Sequence, residues 1–169
     1  MVRAADLATT RLTPSRAMRI GVISDTHGLL RPQALAALRG SDHVVHAGDI
    51  GDPSILVALR AIAPLTVVRG NNDRDAWAAD IPDQADVTLA GVRIHVLHDV
   101  ALLSPDTLAT SPRVVIAGHS HKPSSVVRDG ILFLNPGSAG PRRFRLPVAV
   151  ATLDVEGTSL RPVLVTLDA

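Results

Sequence analysis

Short apolar runs, each cut off by a residue able to bind a metal, constrain this chain more than any other feature. Arg19-Ile20-Gly21-Val22-Ile23-Ser24, Val44-Val45-His46, Leu65-Thr66-Val67-Val68, Ile94–Leu97 and Val114-Val115-Ile116-Ala117 are short and mostly β-branched. Such runs read as buried strands. Helix signals separate the first three. Pro32 opens one helix through about Arg39, and Asp52 caps another that starts at Pro53 and runs to about Arg60, with Ile55, Leu56 and Leu59 on one side. That alternation predicts parallel βαβ units. Farther on the texture changes. Asp86–Ala90 and Val92–Leu97 flank Gly91, Val126-Val127 and Ile131–Leu134 flank Asp129-Gly130, and Val148–Leu153 and Leu160–Leu167 flank Glu156-Gly157, which predicts antiparallel hairpins. The expected fold class is α/β: a layered α-β-β-α sandwich of two mixed sheets flanked by helices, formed as one domain by residues 19–169.

Composition narrows the function classes. With 169 residues, 46% of them hydrophobic, the chain can bury a sizeable core. Cysteine is absent, so thiol catalysis and cysteine-held zinc are excluded, and any metal must take nitrogen and oxygen ligands. The net charge of +1 offers no field for nucleic acid or an acidic membrane, and no apolar run is long enough for a membrane span. Phe133, Phe144 and Trp77 are the only aromatics, too few for base-stacking platforms, so nucleic acid is not an expected partner. Residues 1–18 lack a secretory apolar core and read as a disordered extension, with Met18 an alternative start; a cytoplasmic protein is expected.

The polar residues fall at the ends of the strands. Asp25-Thr26-His27 follows the first, Gly48-Asp49 the second, Gly70-Asn71-Asn72-Asp73 the third, His98-Asp99 the fourth and Gly118-His119-Ser120-His121 the fifth. Open α/β sheets bind ligands beyond the carboxyl ends of their strands, so five loops should converge on one edge. If His119 and His121 continue an extended strand, they point the same way roughly 6.5 Å apart. Each could then hold one of two ions lying roughly 3.5–4 Å apart. Imidazoles, carboxylates and an amide oxygen suit Mn, Fe, Ni or Zn.

Asp25-x-His27, Gly48-Asp49, Gly70-Asn71-x-Asp73, His98 and Gly118-His119-x-His121 together resemble the ordered signature of the calcineurin-like metallophosphoesterases, and within them the small YfcE-type bacterial and archaeal phosphodiesterases. The resemblance runs from Ile20 to about Arg145, and Asn135-Pro136-Gly137-Ser138 also fits that subgroup. It implies a two-sheet sandwich and two divalent metal ions, manganese first, with Fe, Ni, Zn or Co as alternatives. Asp25, His27, Asp49 and His121 would hold one ion; Asp49, Asn71, His98 and His119 would hold the other. Asp49 would bridge them, and a hydroxide generated there would attack a small phosphate ester, most simply a phosphodiester.

Two departures from the family pattern matter. Many relatives carry a proton-donating His where this chain has Asn72, which has no proton to release near neutral pH. Esters with acidic leaving groups, such as aryl phosphodiesters, are therefore expected substrates, with Asp49, Asn72 and His98 as the catalytic set. Relatives also read His-Gly-His where this chain reads His98-Asp99-Val100, so Asp99 either orients a ligand histidine or caps the next turn. Of the remaining polar residues, His46 is expected to be a buried or rim histidine, with support of a metal ligand as the alternative, and His95 structural. Asp73 is expected to brace its loop or a ligand, and Ser138 to touch substrate or simply to follow a type II turn. Arg142, Arg143 and Arg145 around Phe144 read as a solvated loop or as a phosphate contact. The rival enzyme readings are a phosphomonoesterase or a nucleotide pyrophosphatase using the same ions. The rival outside enzymes is a protein-interaction scaffold like the retromer subunit of related fold. Self-association into a homo-oligomer stays open.

Overall fold

A computed structural model describes residues 16–169. Residues 1–15 of the expected extension lie outside the described residues. Its last residue does not belong to an extension, because Met18 opens the first strand: it pairs with Val155 and packs against the core.

Ten strands form two five-stranded sheets. The first sheet contains β1 (Met18–Ile23), β2 (His43–His46), β3 (Leu65–Val67), β9 (Ala149–Glu156) and β10 (Ser159–Thr166), in the order β10-β9-β1-β2-β3. Its β1, β2 and β3 run parallel, while β9 and β10 are antiparallel. The second sheet contains β4 (Gln84–Leu89), β5 (Val92–Leu97), β6 (Val114–Ile116), β7 (Ser124–Arg128) and β8 (Ile131–Asn135), in the order β4-β5-β6-β8-β7. Here β5, β6 and β8 are parallel, and the hairpin partners β4 and β7 form antiparallel edges. Ala90-Gly91 and Asp129-Gly130 turn those hairpins with positive φ at both central residues, as tight hairpin turns require.

Strand alternation divides the apolar side chains between two layers. Ile20, Val22, Val45 and Val68 of the first sheet meet Ile94, Val96, Val114, Ile116, Leu132 and Leu134 of the second, forming the core between the sheets. On the outer side of the first sheet, Ile23, Val44 and Val150 pack against α1 (Pro32–Leu38) and α2 (Pro53–Arg60) through Leu38, Leu56 and Leu59. The outer side of the second sheet is covered more thinly. Leu97, Val115 and Ala117 there meet Leu103 and Phe133, and the short α3 (Pro105–Ala109) buries no residue. The architecture is thus the expected two-sheet sandwich, with its helical cover weighted to one face. Among the described residues no helix is long and apolar enough to cross a membrane.

Candidate metal centre

All five metal-type loops leave the carboxyl ends of parallel strands, and backbone hydrogen bonds carry them onward together. Asp25 N–H donates to Gly48 O, His27 N–H to Asp49 O, and Gly118 N–H to His98 O. Two contacts stitch one sheet's loops to the other's. His98 Nδ1 lies 2.7 Å from Ala47 O, and His119 N–H donates to Asp25 Oδ2 at 3.1 Å. The approach is close enough to require glycine: a Cβ on Gly70 would overlap the Asp49 carboxylate, and one on Gly118 would overlap Ser24 Oγ and Asp25. Asp25, His27, Asp49, His119 and His121 all hold φ between 45° and 67°. For residues with side chains this left-handed conformation is sparsely populated and clusters at functional sites.

That backbone overturns one expectation. The segment after β6 is not extended, since His119 and His121 are both left-handed, and the two rings serve different neighbours. His121 Nε2 lies 3.1 Å from Asp25 Oδ1 and 3.4 Å from His27 Nε2. His119 turns outward, with Nδ1 3.2 Å from Asn71 Oδ1 and its ring edge-on to His98 at 5.1 Å. Two tight groups result. Asp25, His27 and His121 form one, and Asp25, Asp49 and His98 the other; each offers three nitrogen or oxygen donors within 4.8 Å of one another. The structure brings His119 and Asn71 to the same edge, where they meet each other, and His119 joins neither group.

Whether these residues fit a cation can be tested on their hydrogen bonds. Ala47 O can only accept, so His98 Nδ1 must donate to it, and the Nε2 lone pair faces inward. That Nε2 is buried without a partner, 3.3 Å from Asp49 Oδ2. Asp25 Oδ1 is likewise buried and unpartnered, although ring nitrogens of His121, His27 and His98 lie 3.1, 3.7 and 3.9 Å away. Buried acceptors pointed at one another are costly unless a positive charge lies between them. Ligand atoms roughly 2.0–2.2 Å from a common ion also stand about 3 Å apart, close to the spacing here. The donor set fits divalent cations.

Charge is tuned to match. Burial opposes ionisation of Asp25, but the His121 and His27 rings and the Ser24 hydroxyl more than offset it, holding the carboxyl well below the usual carboxylate range. For Asp49 burial again opposes ionisation, while His98 and Asn72 bring it down to about 2. Both carboxylates are anionic at neutral pH.

The supporting residues fall partly as expected. Asp73 braces its loop, accepting from the backbone N–H groups of Ile50, Gly51 and Gly70. Asp99 caps the following turn by accepting from Ala101 N–H, and its other oxygen stands 3.7 Å from His119 Nε2, so it joins both alternatives. His46 is fully buried, and His95 is buried beside Asp86 on the outer side of the second sheet. Ser138 does not face substrate: it is 5% exposed and its hydroxyl donates to Asp25 O. Asn72 has both donors on Asp49, its N–H on Oδ1 and its Nδ2 on Oδ2 at 2.9 and 2.7 Å. Sequence reasoning missed Ser24, which donates to Asp25 Oδ2 at 2.7 Å, and the only signal was its place just before Asp25.

Carboxylates and imidazoles with unsatisfied buried atoms, gathered on one edge of a two-sheet α/β sandwich, define the class of metal-centre proteins to which this chain is to be compared. Residues 18–158 match the calcineurin-like phosphoesterase superfamily domain. The chain belongs to that superfamily. A probable metallophosphoesterase of Methanothermobacter thermautotrophicus is 34% identical over 155 residues, spanning 85% of this chain and 89% of its own. Two solved structures share the fold at 24% identity. An archaeal phosphodiesterase has a TM-score of 0.72, covering 88% of this chain and 100% of its own. Vps29 of Chaetomium thermophilum has a TM-score of 0.71, covering 90% and 100%.

Proposed function

We propose that this protein is a metal-dependent phosphodiesterase acting on small phosphate esters at a centre of two divalent ions, manganese first among them. Asp25, His27, Asp49 and His121 would hold the inner ion, and Asp49, Asn71, His98 and His119 the outer one. Bound there, such ions lower the pKa of water toward neutrality and neutralise the phosphoryl oxygens. The observation that carries this reading is the pair of buried, unpartnered atoms, Asp25 Oδ1 and His98 Nε2, turned toward Asp49 and the histidines. Superfamily membership and the relatives named metallophosphoesterases support the same chemistry.

The chain's own residues do the positioning. Asn72 acts here by fixing both oxygens of Asp49 rather than by donating a proton. Ser24 and the His119 N–H fix Asp25 Oδ2, which leaves Oδ1 for the ion. A preference for diesters is supported by two cavities that share His119. One, of about 410 Å³, is lined by Asn71, Gln84, His98, Leu102 and His119; the other, of about 180 Å³, by His119, His121, Arg143, Phe144 and Leu146. A diester has two arms to seat, whereas a monoester has one. The scaffold reading rests on the Vps29 likeness, which concerns the fold. Bis-p-nitrophenyl phosphate, incubated with Mn²⁺ and separately with a chelator, tests the proposal. Release of p-nitrophenol is expected with the metal and not with the chelator; no release with Mn, Ni, Co, Zn or Fe would favour the scaffold.

A further inference from the structure

Nine non-glycine residues among those described hold a left-handed φ. Five belong to the candidate centre, and Ala90 and Asp129 turn hairpins. Of the other two, Ser111 lies in the loop before β6, and Phe144 stands at φ 53° in the loop that leads to β9. For an aromatic residue this conformation is a genuine outlier. Core packing does not explain it, because Phe144 is 93% exposed.

What surrounds the ring is more specific. Phe144 separates two hollows. The smaller is the 180 Å³ cavity that opens on His119 and His121, with Arg143 in its wall. The larger, an open groove of about 800 Å³, has Lys122 and Arg145 in its wall. Ser120, Phe144 and Leu146 line both, so the two hollows adjoin, with the two histidines in the wall of one and the two outer cations in the wall of the other. No acidic side chain lines either hollow. Among the described residues the arginine ion pairs are Arg16–Asp42, Arg19–Asp154, Arg69–Asp83 and Arg161–Glu156, so Lys122, Arg143 and Arg145 are uncommitted. On the other side of the centre the cation is neutralised, since Arg69 Nε binds Asp83 at 2.6 Å. Lys122 is also the only lysine in a chain whose other sixteen basic residues are arginine, seventeen in all.

A flat, solvent-presented ring with three free cations beside a phosphate-attacking centre matches a substrate arm that carries both a planar base and a further negative charge. Resting on the phosphodiesterase reading above, we infer that the loop 141–146 is the subsite for a nucleoside arm. Its base stacks on Phe144, Arg143 contacts the scissile phosphate, and Lys122 with Arg145 receives a second phosphate on the same arm. The substrate class is therefore a nucleoside phosphodiester with an additional terminal phosphate, and the opposite cavity, neutral at Arg69–Asp83, takes the leaving arm.

Two substrates that both release p-nitrophenol separate this inference from the reading beneath it. Phe144→Ala should raise KM for thymidine 5′-p-nitrophenyl phosphate roughly tenfold, with kcat little changed, as expected for loss of a base-stacking surface. Methyl p-nitrophenyl phosphate, whose retained arm has no ring, should be hydrolysed as by the wild type, and Phe144→Trp should restore the nucleoside KM. Because the ring is exposed, the melting temperature should not move. Calorimetry without turnover gives the second readout. Thymidine 3′,5′-bisphosphate should bind more tightly than thymidine 5′-monophosphate, and Lys122→Ala with Arg145→Ala should erase that difference. Equal effects of Phe144→Ala on the two esters, or no effect on either, overturn the subsite. If neither ester is turned over by the wild type, the phosphodiesterase reading fails. Calorimetry then decides the subsite alone: loss of bisphosphate binding in Phe144→Ala supports it, and no binding to the wild type overturns it.

Discussion

Asp25, Asp49 and His98 on the inner wall of the candidate centre are 0, 3 and 5% exposed, while Asn71, Asn72 and His119 on its outer rim face solvent. The wall holds two of the three buried side-chain polar atoms without a partner among the described residues, Asp25 Oδ1 and His98 Nε2; the third, His95 Nε2, lies away from the centre. The rim satisfies itself: Asn71 Oδ1 meets His119 Nδ1, and Asn72 donates to Asp49. Similar donor types are thus left in opposite states. An unsatisfied buried wall favours a cation strongly, since the alternative is a buried acceptor facing a carboxylate. A self-satisfied, solvated rim must give up its own hydrogen bond first. The inner ion would draw all its ligands from buried or half-buried residues, Asp25, His27, Asp49 and His121. The outer ion has Asp49 and His98 of the wall but must take Asn71 and His119 from the rim, so the inner ion should bind more tightly.

The strongest way to break this contrast is to remove the residue common to both sides. Asp49→Ala should lower kcat/KM for a diester by more than the roughly 10- to 100-fold typical of groups behind the ligands, on the order of 10³-fold. An Asp49→Ala enzyme that turned over at the wild-type rate would sink both the contrast and the proposed centre.

Metal removal comes next. A ligand present at a thousandfold excess over its Kd stabilises the native state by about 4 kcal/mol. For a chain of this size that corresponds to a melting temperature roughly 8–16 °C lower after chelation. Returning Mn²⁺ in steps should restore most of the loss through the inner ion. His119→Ala should keep that first step and lose only the weaker one, whereas His121→Ala should lose the first. Two variants with the same titration curve would abolish the distinction between wall and rim.

Asn72→Ala gives a smaller effect. It frees Oδ2 of Asp49, since the backbone N–H of residue 72 stays on Oδ1, and should cost 10- to 100-fold in kcat/KM while leaving the tight metal step in place. Asn72→His sharpens the leaving-group expectation. A ring at this position gains a proton to donate but loses the amide grip on Asp49. Alkyl diesters should therefore improve relative to aryl diesters even as the absolute aryl rate falls, a ratio readable from paired kinetics.

Much of this could be read from the residues alone, for a physical reason. Strands as short as β1 and β6 announce themselves by β-branched composition, and parallel sheets put their ligand loops at one end, so Asp25, Asp49, His98 and His121 were legible as one group. Partner choice was not. Asn72 can bind solvent, substrate or Asp49 with equal ease, and only the turn after Gly70 decides that it takes Asp49. The left-handed backbone at His119 and His121 was illegible for the same reason: histidine favours φ near 60° only weakly, and loops from both sheets impose it together. Helix α3 did have a signal, since Ser104 caps it ahead of Pro105 as Asp52 caps α2 ahead of Pro53.

The smallest effect tests whether the inner wall is rigid because its support is uncharged. His46 Nδ1 accepts from Gly48 N–H, so the proton sits on Nε2 and is donated to Thr26 Oγ1, which in turn donates to Ile50 O. One neutral ring thereby ties the loop carrying Asp25 and His27 to the loop carrying Asp49. Burial is the main reason its pKa is lowered from 6.5 to about 4. A base with a depressed folded pKa contributes stability that is present above its unfolded pKa and lost as pH falls toward the folded one. The loss therefore begins near pH 6.5, where the unfolded chain starts to take up the proton, and is complete below about pH 4. From pH 6.5 to about pH 5.5 it amounts to roughly 1 kcal/mol. His46→Gln, which has no such proton to bind, should lack that share of the slope in urea unfolding at the two pH values. A variant that kept the full wild-type slope would assign it to other groups and leave the stiffness of the inner wall to the carboxylates.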